Sequence, residues 1–203
     1  MCNMLAIANS RLLRDYMSID IRAKALCFAI KYWAKRRSVN DPYHGSLSSY
    51  AWVLLIIHYL QTCEPPVLPC LQSLRGKPWS DNPEEMVVQT HDGRKFDCTY
   101  YADLDGVKDG MRALGPPNGE SVAELLVGFF RRYTREFDFV KSVASIRTGR
   151  YLTKIEKGWQ KKEAGVRGHA LLVGRRPRQR WRCSMNTRAD ASANASTDAS
   201  TAA

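Results

Sequence analysis

The chain has 203 residues, 44% of them hydrophobic, enough for one buried core with a tail. Its formal net charge of +11 favours a polyanionic partner, nucleic acid being the common case, without setting any specificity. Its most apolar run, residues 51–57, falls far short of the ~20 residues of a membrane span, and no basic-then-apolar leader follows Met1. The sequence therefore predicts a soluble protein that does not enter a membrane.

Leucines, isoleucine and alanines at helical spacing predict a first helix over residues 5–17. Ser18 is a candidate cap for a second helix, residues 19–37, whose apolar stripe includes Leu26, Ile30 and Trp33. Lys24, Lys31 and Lys35 mark roughly the opposite face, and Lys35, Arg36 and Arg37 crowd its last turn, where the helix dipole favours cations. Asn40, Asp41, Pro42 and Gly45 break the helix and turn the chain. A third helix over residues 47–62, apolar nearly all round, should be central; Pro65, Pro66 and Pro69 stop it.

Residues 76–119 form the least regular stretch, with two short strands predicted at 86–90 and 95–101 around the Asp92-Gly93 turn. A fourth helix is expected over 121–137. Ser121 and Glu124 stand at capping distance there, and Leu125, Phe129, Phe130 and Tyr133 lie on its apolar side. Residues 139–146 read as a strand and 154–159 as a helical turn. Beyond residue 162 the character changes. Residues 175–182 are arginine-rich, and 189–203 contain only Ala, Asp, Ser, Asn and Thr, a composition that buries no core. The expected organisation is one domain over 1–162 followed by a disordered tail over 163–203.

Charge follows this division. Residues 1–160 carry 22 basic and 17 acidic side chains, residues 161–203 nine and three, so more than half the excess lies in the last fifth. The six cysteines form no CxxC pair and no regular framework, which suits reduced thiols in a cytosolic or nuclear protein.

The segment from Lys31 to Tyr50 carries the most chemistry. Lys31 and Lys35 lie about 40° apart around the helix axis and one turn displaced, so both ammonium groups can converge on one polyphosphate. With Ser46 as the cap of the next helix, Ser49 and Tyr50 fall in its first turn, where the dipole favours an anion. Ser49 can then donate to a phosphate and Tyr50 can offer its ring to a base. Taken singly, each residue has a blander reading. Lys31 and Lys35 could be solvated helix-face lysines like Lys24, Tyr50 could be core packing and Ser49 a capping residue. The four histidines show no zinc-site or nucleophile spacing, and His58 on its apolar helix reads as a satisfied core histidine. The arginines from Arg175 onward read as a solvated tail before an RNA-binding one.

The segments NMLAIANSRLL, IKYWAKRRSVNDPYHGSLSSYAWVLLIIHYLQ, PPVLPCLQ and GRYLTKIEKGW stand in this order. Together they closely resemble the template-independent RNA terminal nucleotidyltransferases, the group of terminal uridylyltransferases and cytoplasmic poly(A)/poly(U) polymerases. The likeness runs from about Asn3 to Trp159 and is most specific over residues 31–61. It implies a mainly α (α+β) fold with a few short strands. This is the helical, PAP-associated central domain of the polymerase-β-like nucleotidyltransferases, here incomplete at both ends, which binds nucleotide opposite a separate nucleotidyltransferase domain. The resemblance implies that Asn9 contacts the ribose 2′-hydroxyl and base edge, Lys31 and Lys35 hold the triphosphate, Ser49 bonds a phosphate oxygen and Tyr50 stacks on the base. Asn3 matches a further site-lining asparagine.

The family's chemistry uses carboxylates that hold two Mg²⁺ ions, which activate the RNA 3′-hydroxyl and stabilise the leaving pyrophosphate. A D-x-D pair after a Gly-Ser helix start and a third aspartate just before the NMLAIANS segment supply them. Asp103-Leu-Asp105 mimics the pair, but no Gly-Ser turn precedes it, and it is read as a surface acidic loop. No catalytic or metal-ligating residue is therefore assigned, and Mg²⁺ belongs with the missing nucleotidyltransferase domain. After Trp159 the family's D-P-F and N-V-x-R element gives way to the basic run, so the base-selecting histidine has no counterpart. The resemblance implies UTP or ATP as substrate and a single-stranded RNA 3′ end as acceptor, with uridylyl transfer favoured and this chain inactive alone. The alternative is a non-catalytic nucleotide- or RNA-binding module.

Overall fold

In the computed structural model, residues 4–90 and 93–157 are described. The first three helices follow the apolar periodicity. α1 (Met4–Ile19) buries Leu12 and Tyr16, and α2 (Ile21–Arg36) buries Ala23, Leu26, Ile30 and Ala34. Trp33 lies at the edge of that stripe rather than within it, 36% exposed, with its ring against Trp52 and Phe130. The cap of α2 is Asp20, not Ser18. The Asp20 carboxylate accepts the Arg22 N–H at 2.8 Å, a stronger charge-assisted bond at the positive end of the dipole. Ser18 lies within the last turn of α1, and its hydroxyl donates to the Arg14 carbonyl at 2.9 Å.

α3 (Ser49–Gln61) is central as expected, with every residue from Ile56 to Gln61 buried. Ser48 caps it by accepting the Ala51 N–H at 3.1 Å, so the helix starts two residues after the predicted point. Ser46, the expected cap, accepts the Asp41 N–H at 2.6 Å and donates to the Asp41 carbonyl at 2.9 Å, closing the turn instead.

Leu104–Ala113 forms a helix, α4, which the sequence reading took as irregular; Gly106 and Gly110 weaken its intrinsic propensity. Asp103 and Asp105 are accordingly not a loop. Asp103 is the N-cap and accepts the Gly106 N–H at 3.0 Å, and Asp105 lies in the first turn. α5 (Val122–Arg131) opens with the full reciprocal capping box of Ser121 and Glu124. It ends six residues early, widening into a π turn, Arg132–Glu136, closed by the Phe137 N–H on the Arg132 carbonyl at 2.8 Å. Gly128 faces the Tyr59 hydroxyl so closely that a Cβ there would overlap it, which lets α5 settle on α3.

Two antiparallel hairpins complete the described residues. β1 (Val87–Gln89) pairs antiparallel with β2 (Lys95–Asp97) at the two predicted strand positions, with Val88 opposite Phe96 and both strands shorter than expected. The predicted strand at 139–146 shrinks to β3 (Ser142–Ser145), because the Asp138 carboxylate accepts the N–H groups of Val140 and Lys141 and turns the chain. Its partner β4 (Arg150–Thr153) was not anticipated as a strand. Residues 154–157 turn as expected, while Gly158, Trp159 and the whole expected tail lie outside the described residues. No helix among the described residues is long and apolar enough to cross a membrane.

A buried polar joint locks these parts together. The Tyr16 hydroxyl accepts from the Leu71 N–H and the Gln61 Nε2, each at 3.0 Å. The same Gln61 amide donates to the Pro69 and Ile146 carbonyls at 3.2 and 3.1 Å. A second clasp joins α2 to the link before α5: Arg22 Nη1 donates to the carbonyls of Asn118 and Glu120 at 2.8 and 2.7 Å.

Candidate nucleotide-binding site

The last turns of α2 hand the chain to α3 through a rigid corner. Ser38 takes a positive φ of 55°, Val39 N–H bonds the Ala34 carbonyl at 3.0 Å, and Trp52 Nε1 donates to the Val39 carbonyl at 3.1 Å. Asp41 then caps a short 3-10 turn, Pro42–His44, accepting the Tyr43 N–H at 3.0 Å. A hydrogen bond from the His44 ring holds the Asp41 carboxyl below its usual range. The corner fixes where α3 begins relative to Lys31 and Lys35.

Lys31 is half-buried and Lys35 exposed, and neither ammonium has an acidic partner among the described residues. Burial pushes the Cys27 thiol up, and the charge of Lys31, one turn further on, opposes that rise. Across the corner, Asn40 grips Ser49: its Nδ2 lies 2.9 Å from the Ser49 Oγ and its Oδ1 3.2 Å. With the amide donating, the Ser49 proton is left to point at another acceptor. Asn40 figured in the sequence only as a helix breaker. A nine-residue separation in sequence gave no signal that the two side chains meet.

Asn9 lies half-buried on α1, which packs against α2. Its Oδ1 is buried and accepts no hydrogen bond among the described residues, an arrangement that costs about 1–3 kcal/mol unless a donor arrives. Sequence alone could not single it out, and the buried Oε1 atoms of Gln61 and Gln72 are likewise without a partner among the described residues. Tyr50 packs against the core and remains half-buried. Asn3 lies outside the described residues.

The D-x-D pair does not fit a two-metal site. Asp103 is engaged by the N-terminus of α4, and Asp105 is 94% exposed beside Lys108. Among the described residues no three His, Cys, Asp or Glu side chains are placed to share an ion.

The fold is of the Cid1 nucleotidyltransferase type, and the comparisons that establish it also give the family. Residues 121–179 match the family model described as Cid1 family poly A polymerase. Terminal uridylyltransferase 4 of Mus musculus is 40% identical over 161 residues, covering 79% of this chain and 9% of that protein. Terminal uridylyltransferase cid1 of Schizosaccharomyces pombe is 39% identical over 159 residues, 77% of this chain and 35% of that protein. Among solved structures, Cid1 in complex with the UTP analog UMPNPP superposes with a TM-score of 0.60 at 38% identity, covering 77% of this chain and 44% of that one. Cid1 with its short product ApU gives 0.61 at 36% identity, covering 80% and 47%. The chain belongs to the RNA terminal nucleotidyltransferase family, and it spans less than half the length of these relatives.

Proposed function

We propose that this chain supplies the nucleotide-holding wall of an RNA 3′-terminal nucleotidyltransferase. The observation that carries the reading is the pair of ammonium groups, Lys31 and Lys35, one turn apart and without an acidic partner among the described residues, on the helix that leads into the corner where Asn40 meets the Ser49 hydroxyl. Lys31 and Lys35 hold the triphosphate, Ser49 donates to a phosphate oxygen and Tyr50 stacks on the base. Asn9 Oδ1 accepts from the ribose 2′-hydroxyl, which supports a ribonucleotide over a deoxyribonucleotide. Asn3 lines the same site. UTP is favoured over ATP, in line with the terminal uridylyltransferases among the relatives, and the acceptor is a single-stranded RNA 3′ end. The Mg²⁺ ions and their carboxylates belong to a nucleotidyltransferase domain outside these 203 residues. The free thiols of Cys27, Cys63, Cys70 and Cys98 support a reducing compartment, the cytoplasm or nucleus.

Saturation-transfer NMR with UTP tests the clamp. Each charge-assisted bond is worth about 1.5–3 kcal/mol, so Lys31→Ala and Lys35→Ala should each weaken UTP binding by about tenfold or more. Lys24→Ala, on the same helix, should leave it unchanged. Equal effects of all three substitutions would reduce the clamp to general surface charge. A second expectation concerns turnover: the isolated chain should incorporate no UMP into RNA. Incorporation by the purified protein that Lys31→Ala abolishes would place the metal-binding carboxylates within it.

A further inference from the structure

The corner between α2 and α3 carries a serine that the clamp does not use. Ser38 directly follows Lys35, Arg36 and Arg37 and precedes Val39. It is exposed, and its hydroxyl makes no hydrogen bond among the described residues. Its φ of 55° is left-handed, a region that serine seldom enters and glycine enters freely. Residues held in such regions gather at switch segments, where the surroundings and not the residue decide the conformation.

The segment is held by few bonds. The Ser38 and Val39 N–H groups bond the Lys35 and Ala34 carbonyls at 3.2 and 3.0 Å, and the Trp52 ring N–H holds the Val39 carbonyl at 3.1 Å. A helix end of this kind opens locally at much smaller cost than the core. Once open, three cations ahead of a serine, with an apolar residue behind it, present the charge pattern that basic-directed serine/threonine kinases select. Thr134 also has arginines ahead of it, Arg131 and Arg132. Its hydroxyl, however, donates to the Phe130 carbonyl at 2.7 Å within the π turn.

A phosphate on Ser38 would change what Lys35 can do. It carries a charge of about −1.5 to −2 at neutral pH, at the end of α2 where the dipole is already negative, so it requires cationic partners. Arg36 is engaged with Tyr32: its Nε donates to the Tyr32 hydroxyl at 3.1 Å, and its guanidinium lies 5.3 Å from the ring centroid. Lys35 and Arg37 are exposed and form no salt bridge among the described residues, which leaves them to take the phosphate. The triphosphate and the phosphoserine then compete for the same ammonium group.

We propose that Ser38 is a phosphorylation site whose phosphate withdraws Lys35 from the incoming nucleotide and so turns the clamp off. The inference rests on the nucleotide-clamp reading. The kinase takes the proton from Ser38 Oγ, a bond forms from that oxygen to the γ-phosphorus of ATP, and the bond from that phosphorus to the departing ADP breaks.

Treatment of the full chain with cyclic-AMP-dependent kinase and ATP, then peptide mapping and, after removal of ATP, UTP saturation transfer, tests this. The phosphate should fall on Ser38, and the modified chain should bind UTP about tenfold or more weakly than the unmodified one. Ser38→Asp, with one charge, should lose about threefold. Ser38→Gly suits the left-handed turn, so it should bind UTP normally and accept no phosphate there. Lys35→Ala should cost less in the Ser38→Asp background than alone, because both changes act through one ammonium group. Fully additive losses would point to a distorted corner and overturn the proposal. So would phosphate found only on Thr134 or beyond residue 157, or none at all. UTP binding that survives phosphorylation of Ser38 would sink the switch alone. An unmodified chain that binds no UTP would sink the clamp, and the switch with it.

Discussion

Phe129→Ala should lower the stability of this protein by about 3–5 kcal/mol, the cost typical of deleting a buried aromatic side chain. Phe129 is 1% exposed and stands where four rings meet: Tyr133 at 5.0 Å, Phe130 at 5.5 Å, Tyr59 at 5.8 Å and Trp52 at 6.4 Å between centroids. Truncation opens a void bounded by stiff rings on α3 and α5, which cannot rotate inward to fill it. It also removes edge-to-face contacts worth about 0.5–1.5 kcal/mol each. Domains of this size are stable by only about 5–15 kcal/mol, so the variant should be close to unfolding at 37 °C. Val127, 67% exposed on the same helix, is the control: Val127→Ala should stay within about 0.5 kcal/mol. Urea titrations of both variants measure the difference. A loss below 1 kcal/mol at Phe129 would mean that this cluster is not the centre of the core.

Acid should destabilise the fold by about 3 kcal/mol through one residue, His58. The Tyr133 hydroxyl donates to the Leu55 carbonyl at 2.9 Å and is hydrogen-bonded to the His58 Nδ1, also at 2.9 Å. Burial pushes the His58 pKa down from 6.5 to about 4; the Arg150 backbone favours the charged ring, and the nearby Arg132 charge opposes it. The unfolded chain therefore binds the extra proton between pH 6.5 and about 4, where the folded protein refuses it. Stability is fully present above pH 6.5 and falls as the pH drops through that window. Urea midpoints measured from pH 7 to pH 4 should show the decline, and His58→Gln should flatten it. A His58→Gln profile parallel to the wild type would assign the acid sensitivity to other groups.

How much of this was legible in the sequence depended on whether the signal was local. The three leading helices, the capping box at Ser121 and the hairpin around Gly93 follow from periodicity and cap chemistry within a few residues, and all are present. The misplaced caps have a common cause. Several Ser and Asp residues crowd each boundary, and only the completed turn decides which oxygen meets an N–H, as Asp20 and Ser48 do. α4 was missed because two glycines mask a helix that gains its stability from the Asp103 cap and the burial of Val107. β4 was missed because its pairing with β3 is what makes it a strand.

The site divides along the same line. Lys31, Lys35, Ser49 and Tyr50 could be read from helical spacing and first-turn chemistry. Asn9 needed the resemblance, and its buried Oδ1, without a donor among the described residues, is one of several such atoms. Asn40 became visible only through its contact with Ser49, and the Tyr16–Gln61 joint only through a contact across 45 residues. Such polar contacts carry no periodic pattern, so a single sequence does not announce them.

The central claim is that one nucleoside triphosphate lies against the corner between α2 and α3. Photocrosslinking with 4-thio-UTP, followed by peptide mapping, tests it most directly. The account predicts that the label falls on the peptide containing Ser49 and Tyr50, that unlabelled UTP competes it away, and that Lys31→Ala/Lys35→Ala abolishes it. Labelling elsewhere in the chain, or labelling at Tyr50 that survives loss of both lysines, would contradict it.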